Sequence, residues 1–389
     1  MKNIDYNRVC ELEKIRVSER FLPYTVGAPD NAVRSFEQYK RANFIFFTDS
    51  HIDAYNIDES LDNVKRTVEF ADNFFVPFDA VMYGGDLITP YNIVDKDQAM
   101  HRCKPFFDRV KKSETPFIFT KGNHDTNDWD NTIDRAFNDD DWGEMYLDFA
   151  EKKYGLVRQN KKSGSKSTWH YYDVEDKKIR IISVDVMDTD KTIPNEQGRV
   201  KYHSCKLRHI SQEQFDWIIN VALDFDDKEE KDWGVIFVMH QLIEDDEAYG
   251  RATEKLIDIC AAMNDASKYE CDFICKEDPV FNFKISADFT KYADTDKRPH
   301  TICWLLGHHH RDIYKCYNGI NVINTTNGSC AHQFGDSRIA RVPGTASQNA
   351  FDLISVDTRE RKIRIVRYGA GVTCYGEGSD RFLPDGLKY

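Results

Sequence analysis

The feature that most restricts how this chain can fold is a series of short apolar runs, each stopping abruptly at a polar cluster. Residues 43–48 (NFIFFT) end at Asp49. Residues 78–83 end at Gly84-Gly85-Asp86, and residues 116–120 end at Lys121-Gly122-Asn123-His124-Asp125. Runs of this length, apolar throughout, read as buried strands. Between them, Leu61, Val64, Val68 and Ala71 give residues 60–73 a helical period. Met100, Phe106, Phe107 and Val110 do the same for residues 97–111. Asp49 and Asp86 are 37 residues apart, and so are Asp86 and Asn123. Each interval suits one strand–helix–strand unit with its crossover. Ligands of such sheets sit beyond the carboxyl ends of the strands, where all three polar clusters fall.

The remainder follows the same alternation less regularly. Residues 168–174 and 178–185 read as a hairpin around Glu175-Asp176, preceded by a flexible loop at 160–167. Ser211 is an N-cap for a helix carrying Phe215, Trp217, Ile218 and Val221. Strands are expected at 233–239, ending at His240, and at 301–306, ending at Gly307-His308-His309-His310. Others are expected at 319–324, 350–357 and 362–367. Residues 1–41 are polar, with a turn signal at 27–30, and read as an N-terminal extension lying over the main domain. Residues 42–389 read as one domain, in which 243–299, acidic and irregular apart from a helical piece near 256–263, form an insertion over the site. No internal repeat or interdomain linker is visible.

Composition narrows the function classes. With 389 residues, 41% of them hydrophobic, the chain can bury a substantial core. A net charge of −13 argues against broad, backbone-driven nucleic-acid binding while leaving a local basic groove open. The ten cysteines form no CxxC pair and read as reduced thiols, which points to the cytoplasm. The N-terminal segment has no apolar signal core, and the longest apolar runs, such as 44–47 and 235–239, are too short to span a bilayer. No membrane partner is expected.

Singly, an Asp at a strand end is usually a turn or cap residue, and a His is usually solvated or hydrogen-bonded. The set reads differently. Strands delivering Asp49, His51, Asp86, Asn123, His240, His308 and His310 to one sheet edge would crowd polar and charged groups at a cost that a cation offsets. Side chains two apart on an extended strand end share a face. Asp49 and His51 could therefore reach one ion together, and His308 and His310 point one way with His309 pointing the other. Carboxylate mixed with imidazole suits manganese, iron, zinc or nickel better than calcium or magnesium. Asp86 could be shared by two such ions.

The series D-x-H, G-D, G-N-H-D, H and G-H-x-H, here Asp49-Ser50-His51, Gly85-Asp86, Gly122-Asn123-His124-Asp125, His240 and Gly307-His308-His309-His310, resembles the calcineurin-like metallophosphoesterase superfamily. The resemblance runs from about residue 43 to 326, with no ligand substituted. It implies a four-layer α/β/β/α sandwich with two mixed β-sheets. It also implies a first metal held by Asp49, His51 and His310, a second held by Asn123, His240 and His308, and Asp86 bridging them. A metal-bridging hydroxide would attack phosphorus while His124 protonates the leaving oxygen as general acid. Asp125 would orient His124.

The second block lacks the extension found in the Ser/Thr protein phosphatases of the superfamily. The third ends in Asp125 rather than Glu, closer to the phosphodiesterase branch. The expected activity is therefore hydrolysis of a small or medium phosphoester, with a phosphodiester favoured. A metal-dependent nuclease and a non-catalytic scaffold retaining the fold are the alternatives. Around the blocks, Asp53 and Arg311 are candidates for supporting the site, each with a solvated surface role as the bland reading. Asp128 and Trp129 are candidates for lining the pocket, and the basic stretch 199–209 could supply local positive charge. The aromatic residues at 169–172 read as sheet packing. Oligomeric state is open.

Overall fold

The computed structural model describes residues 6–26, 41–52, 57–74, 76–90, 93, 95–129, 132–204, 206–242, 251–293, 298–330, 341–371 and 386–389. The turn signal at 27–30 and the candidate Asp53 lie outside them.

Two large sheets form the middle of the molecule. The first contains β1 (Arg41–Phe47), β2 (Ala80–Tyr83), β3 (Phe117–Phe119), β13 (Ala350–Asp357), β14 (Lys362–Gly369) and β15 (Leu387–Lys388), in the order β15-β14-β13-β1-β2-β3. The second contains β4 (Val157–Asn160), β5 (Lys166–Val174), β6 (Ile179–Ser183), β7 (Gly234–Met239), β10 (His300–Leu306), β11 (Ile313–Tyr317) and β12 (Ile320–Asn324), in the order β11-β12-β10-β7-β6-β5-β4. A separate hairpin joins β8 (Lys268–Phe273) to β9 (Phe283–Asp288). β1, β2 and β3 are mutually parallel, as are β6, β7, β10 and β12. Antiparallel strands complete both sheets, so each is mixed.

Burial explains the sequence pattern. β1, β2 and β3 are covered on both faces, which is why they read as unbroken apolar runs. One face meets α2 (Ile57–Asn73) and α3 (Lys96–Val110), and the other meets the second sheet. β7 shows the alternation of a strand between two cores. Ile236 and Val238 join the core between the sheets. Val235, Phe237 and Met239 join an outer core with α6 (Gln212–Trp217) and α7 (Ala252–Asn264). Helices, sheet, sheet and helices make the four-layer α/β/β/α sandwich. Two short helices, α4 (Asp139–Trp142) and α5 (Asp148–Tyr154), complete the first helical layer around Trp142 and Tyr146.

Two expectations need correction. The described part of 243–299 is not irregular: α7 and the β8–β9 hairpin bury Leu256, Ile259, Met263 and Ile285 against the outer face of the second sheet. The stretch at 160–167, expected to be flexible, is a tight hairpin turn closed by Lys161 N donating to Ser165 O at 2.8 Å. Apart from these, α1 (Tyr6–Val26) in the N-terminal segment buries Val17 and Phe21 in the same core as β1. Among the described residues, no helix is long and apolar enough to cross a membrane, and no disulfide joins the cysteines.

Candidate metal centre

The parallel strands of both sheets end at one edge of the sandwich, and their loops interlock there. Gly307 N donates to His240 O at 3.0 Å within the second sheet. His308 N donates to both oxygens of Asp49, at 3.1 and 3.0 Å, across the two sheets. The backbone at this edge is unusual. Asp49, His51, Asp86, His308 and His310 all have positive φ, between 43° and 69°. L-residues rarely adopt this left-handed conformation, which costs on the order of 1 kcal/mol per residue or more and clusters at functional sites. Glycine permits the close approach of the loops. A Cβ on Gly122 would strike the Asp86 carboxylate, and one on Gly307 would strike Asp49.

Two groups of ligating atoms result. Asp49, His51, Asp86 and His310 bring one ligand atom each to within 4.8 Å of the others, and so do Asp86, His240 and His308. Asn123 joins the second group through Oδ1, which is 3.1 Å from His240 Nε2. Asp86 belongs to both. Its Oδ2 lies 3.2 Å from His240 Nε2 and 3.8 Å from His51 Nε2, while Oδ1 accepts a hydrogen bond from His124 N. Five of the seven candidate ligands are buried, and His308 and His310 are partly so.

Neighbouring groups fix the ligands. His240 Nδ1–H donates to Gly84 O at 2.8 Å, which leaves Nε2 to face Asn123 Oδ1 and Asp86 Oδ2. Thr89 Oγ1 lies 3.3 Å from His51 Nδ1, and Thr48 Oγ1 donates to Asp49 Oδ2 at 2.6 Å. The loop after His310 is tied down by Asp312, whose carboxylate pairs with the buried Arg367. The sequence carried no signal for Thr89 or Arg367, because both act through contacts that only the fold creates.

The electrostatics suit a cation. Burial pushes the His51 imidazole down to about 3, and it holds His308 well below its ordinary value, so both rings present lone pairs. Burial raises the carboxyls of Asp49 and Asp86, but His310 beside the first and His240 beside the second outweigh it and leave both lowered. Burial likewise opposes charge on His240, but Asp86 outweighs it and holds the imidazolium up to about 9. Ionised carboxylates, the neutral imidazoles of His51 and His308, an amide oxygen, His310, and His240, whose proton a metal ion would displace, converge on two points and form a donor set that fits two divalent ions.

The remaining candidates separate. His124 Nε2 is 3.9 Å from Asp86 Oδ2, at the mouth of the site. Asp125 does not make the expected hydrogen bond to His124. Its oxygens accept instead from the backbone N–H groups of Asp86, Leu87 and Gly122, at 2.8, 2.7 and 2.7 Å. Burial, then the Asp86 charge, pushes its carboxyl up to about 7. Asp125 therefore organises the loop backbone beneath the ligands. His309 stands outside both groups, lining a small cavity with Leu306, Ile313 and Lys315. Arg311 is exposed, and Trp169 is fully buried in the outer core, as sheet packing requires.

No protein-family model and no curated protein matches the chain. Among solved structures it is similar to GAP50, the anchor in the inner membrane complex of Plasmodium (13% identity, 84% of each chain covered, TM-score 0.41). It is also similar to a predicted phosphoesterase from Streptococcus pneumoniae (10% identity, 85% of this chain and 93% of that one, TM-score 0.28). A third likeness is to the phosphopantetheinyl hydrolase of Mycobacterium tuberculosis (10% identity, 74% and 90% covered, TM-score 0.32). In its five blocks, their order and the two ligand groups they form, the chain resembles the calcineurin-like metallophosphoesterases. Its chemistry is read from the residues themselves.

Proposed function

We propose that this chain is a dinuclear metal-dependent phosphoesterase acting on a small or medium phosphoester, with phosphodiesters favoured. The observation that carries this reading is Asp86, one carboxylate oxygen of which faces ligands of both groups at 3.2 and 3.8 Å. Asp49, His51 and His310 would hold one ion, Asn123, His240 and His308 the other, with Asp86 between them. Bound ions of this kind supply a nucleophilic hydroxide near neutral pH and offset charge developing on the phosphoryl oxygens.

The protein's own groups do the rest. The interlocked loops hold the ligands in place before substrate arrives, so little reorganisation accompanies the reaction. His124, outside both ligand groups but beside Asp86, would protonate the leaving oxygen as general acid. Asp125 keeps the backbone of residues 86, 87 and 122 in register, so its effect on catalysis passes through the position of Asp86.

Hydrolysis of bis(p-nitrophenyl) phosphate and p-nitrophenyl phosphate, with manganese, zinc and nickel in turn, tests the reading. Turnover that depends on added metal and is removed by chelation is expected. Absence of hydrolysis with every metal, together with no bound metal on elemental analysis, would overturn it.

A further inference from the structure

A leaving group protonated by His124 has to depart past whatever stands beside that ring. The His124 and His51 rings meet nearly perpendicular, with centroids 4.9 Å apart and planes at 88°. The His124 ring lies nearly parallel to the indole of Trp129, at 5.1 Å and 20°. Trp129 is 39% exposed, whereas Trp142, Trp169, Trp217, Trp233 and Trp304 are all buried. A large aromatic surface held in water beside reactive groups suggests a binding surface.

The peptide that carries the indole is held on its inner side. Asp128, almost completely buried, accepts hydrogen bonds from Ser204 N at 2.9 Å, Ser204 Oγ at 3.0 Å and Thr126 Oγ1 at 2.8 Å. The His203 ring binds Trp129 O through Nε2 at 3.0 Å. The buried Lys191 ammonium, 3.9 Å from Asp128 Oδ2, donates to Tyr202 O at 2.8 Å and so ties the same two loops together. None of these bonds involves a candidate metal ligand, although Thr126 Oγ1 also lies 2.9 Å from Asn123 O. Their common effect is to fix the peptide that carries an exposed aromatic ring beside the proton donor.

We propose that Trp129 determines specificity, as the platform on which a planar aromatic leaving group stacks while His124 protonates its departing oxygen. The proposal rests on the phosphoesterase reading above and adds the class of substrate: esters of aryl or similarly flat leaving groups, in preference to alkyl esters. In the step concerned, a water oxygen bonds to phosphorus and gives up one proton to solvent. The bond from phosphorus to the leaving oxygen breaks, its electron pair stays with that oxygen, and the oxygen takes the His124 proton. Solvent then reprotonates His124. Stacking of a flat group on an aromatic side chain changes affinity by roughly tenfold or more.

The test uses the full chain loaded with manganese and two phosphodiesters of matched leaving-group acidity, one phenyl and one fluorinated alkyl. Trp129→Ala is expected to lose about tenfold in kcat/KM on the aryl ester and less than about twofold on the alkyl ester. Trp129→Phe should keep most of the aryl preference. Equal losses on both esters would mean that Trp129 merely supports His124, and would overturn the proposal. Calorimetric binding of phenylphosphonate and methylphosphonate to the same proteins separates this question from turnover. If the wild type hydrolyses neither ester, the phosphoesterase reading is decided by the other metals and by elemental analysis, and binding alone decides the role of Trp129. Tighter binding of phenylphosphonate that disappears in Trp129→Ala supports the platform. Equal binding of the two phosphonates by the wild type overturns it.

Discussion

Nε2 of His51 and Nε2 of His310 face each other at 3.0 Å, with Asp49 Oδ1 3.1 Å from the latter. Two imidazole lone pairs and a carboxylate oxygen converge well without repulsion only around a proton or a metal ion. Metal should therefore stabilise the fold as well as support catalysis. An ion at a hundred times its Kd contributes about 2.7 kcal/mol if it binds only the native state. Thermal unfolding followed with chelator and with added manganese should show Tm rising with metal concentration. A Tm indifferent to both would remove the metal centre from this edge of the sandwich.

Asp86 differs from the other candidate ligands because one oxygen serves both groups while the other accepts from His124 N at 2.8 Å. Asp86→Ala should thus lower metal content at both sites together, whereas Asn123→Ala should deplete one. Elemental analysis of the purified variants reads this directly. Full retention of two ions in Asp86→Ala would refute the bridging position.

His124 supplies no atom to either ligand group. His124→Ala should keep the metals and lose on the order of 10²- to 10⁴-fold in turnover, the usual contribution of general-acid catalysis. The loss should be steepest for esters with poor leaving groups, which most need the proton. A Brønsted plot of kcat against leaving-group acidity, wild type beside variant, measures the difference. Parallel slopes would assign the proton to another donor.

The sequence showed the strands well where both faces are buried, because continuous apolar runs such as Phe44–Phe47 leave little choice of structure. It placed the candidate ligands together for a reason the structure replaces. Strand alternation groups His308 with His310, yet β10 stops at Leu306 and both residues adopt left-handed backbone in the loop beyond it. Loops steered by tertiary hydrogen bonds, such as that from His308 N to Asp49, carry no periodicity to read. The same holds for Asp125, whose adjacency to His124 suggested a partner for the ring. Its carboxylate is instead occupied by backbone N–H groups up to 39 residues away in sequence. The sequence does not mark α1, because its buried face mixes Glu13 and Ser18 with Cys10, Val17 and Phe21 and so shows no clear apolar stripe.

Asp79 provides a pH signature away from the metal centre. It accepts a hydrogen bond from Asn43 N at 2.7 Å, and burial pushes its carboxyl up to about 6 from 3.8. A carboxyl raised in the folded state binds more protons there than when unfolded, so stability falls as pH rises from about 4 through 6. The ionised form costs on the order of 2 kcal/mol at neutral pH. Asp79→Asn keeps an acceptor for Asn43 N without the charge. It should raise stability at pH 7 and flatten the slope between pH 4 and 6 in urea unfolding. An unchanged slope would show that Asp79 is solvated.

Arg367 links the edge of the first sheet to the loop that carries His310. Its guanidinium is almost completely buried. It donates to Asp352 Oδ1 at 2.7 Å and to Asp312 Oδ1 at 2.8 Å. Asp312 in turn accepts from Thr326 N, and Thr326 Oγ1 donates to His310 O at 3.1 Å. Arg367→Met would remove the cation and leave two buried carboxylates facing each other, a change that typically costs about 3–5 kcal/mol. Urea unfolding should register that loss. Because the disturbed carboxylate sits two residues from His310, affinity for the ion held by Asp49, His51 and His310 should fall in the same variant more than affinity for its neighbour. A stability change under about 1 kcal/mol, with both affinities intact, would show that the two carboxylates find other partners and that Arg367 does not hold the loop.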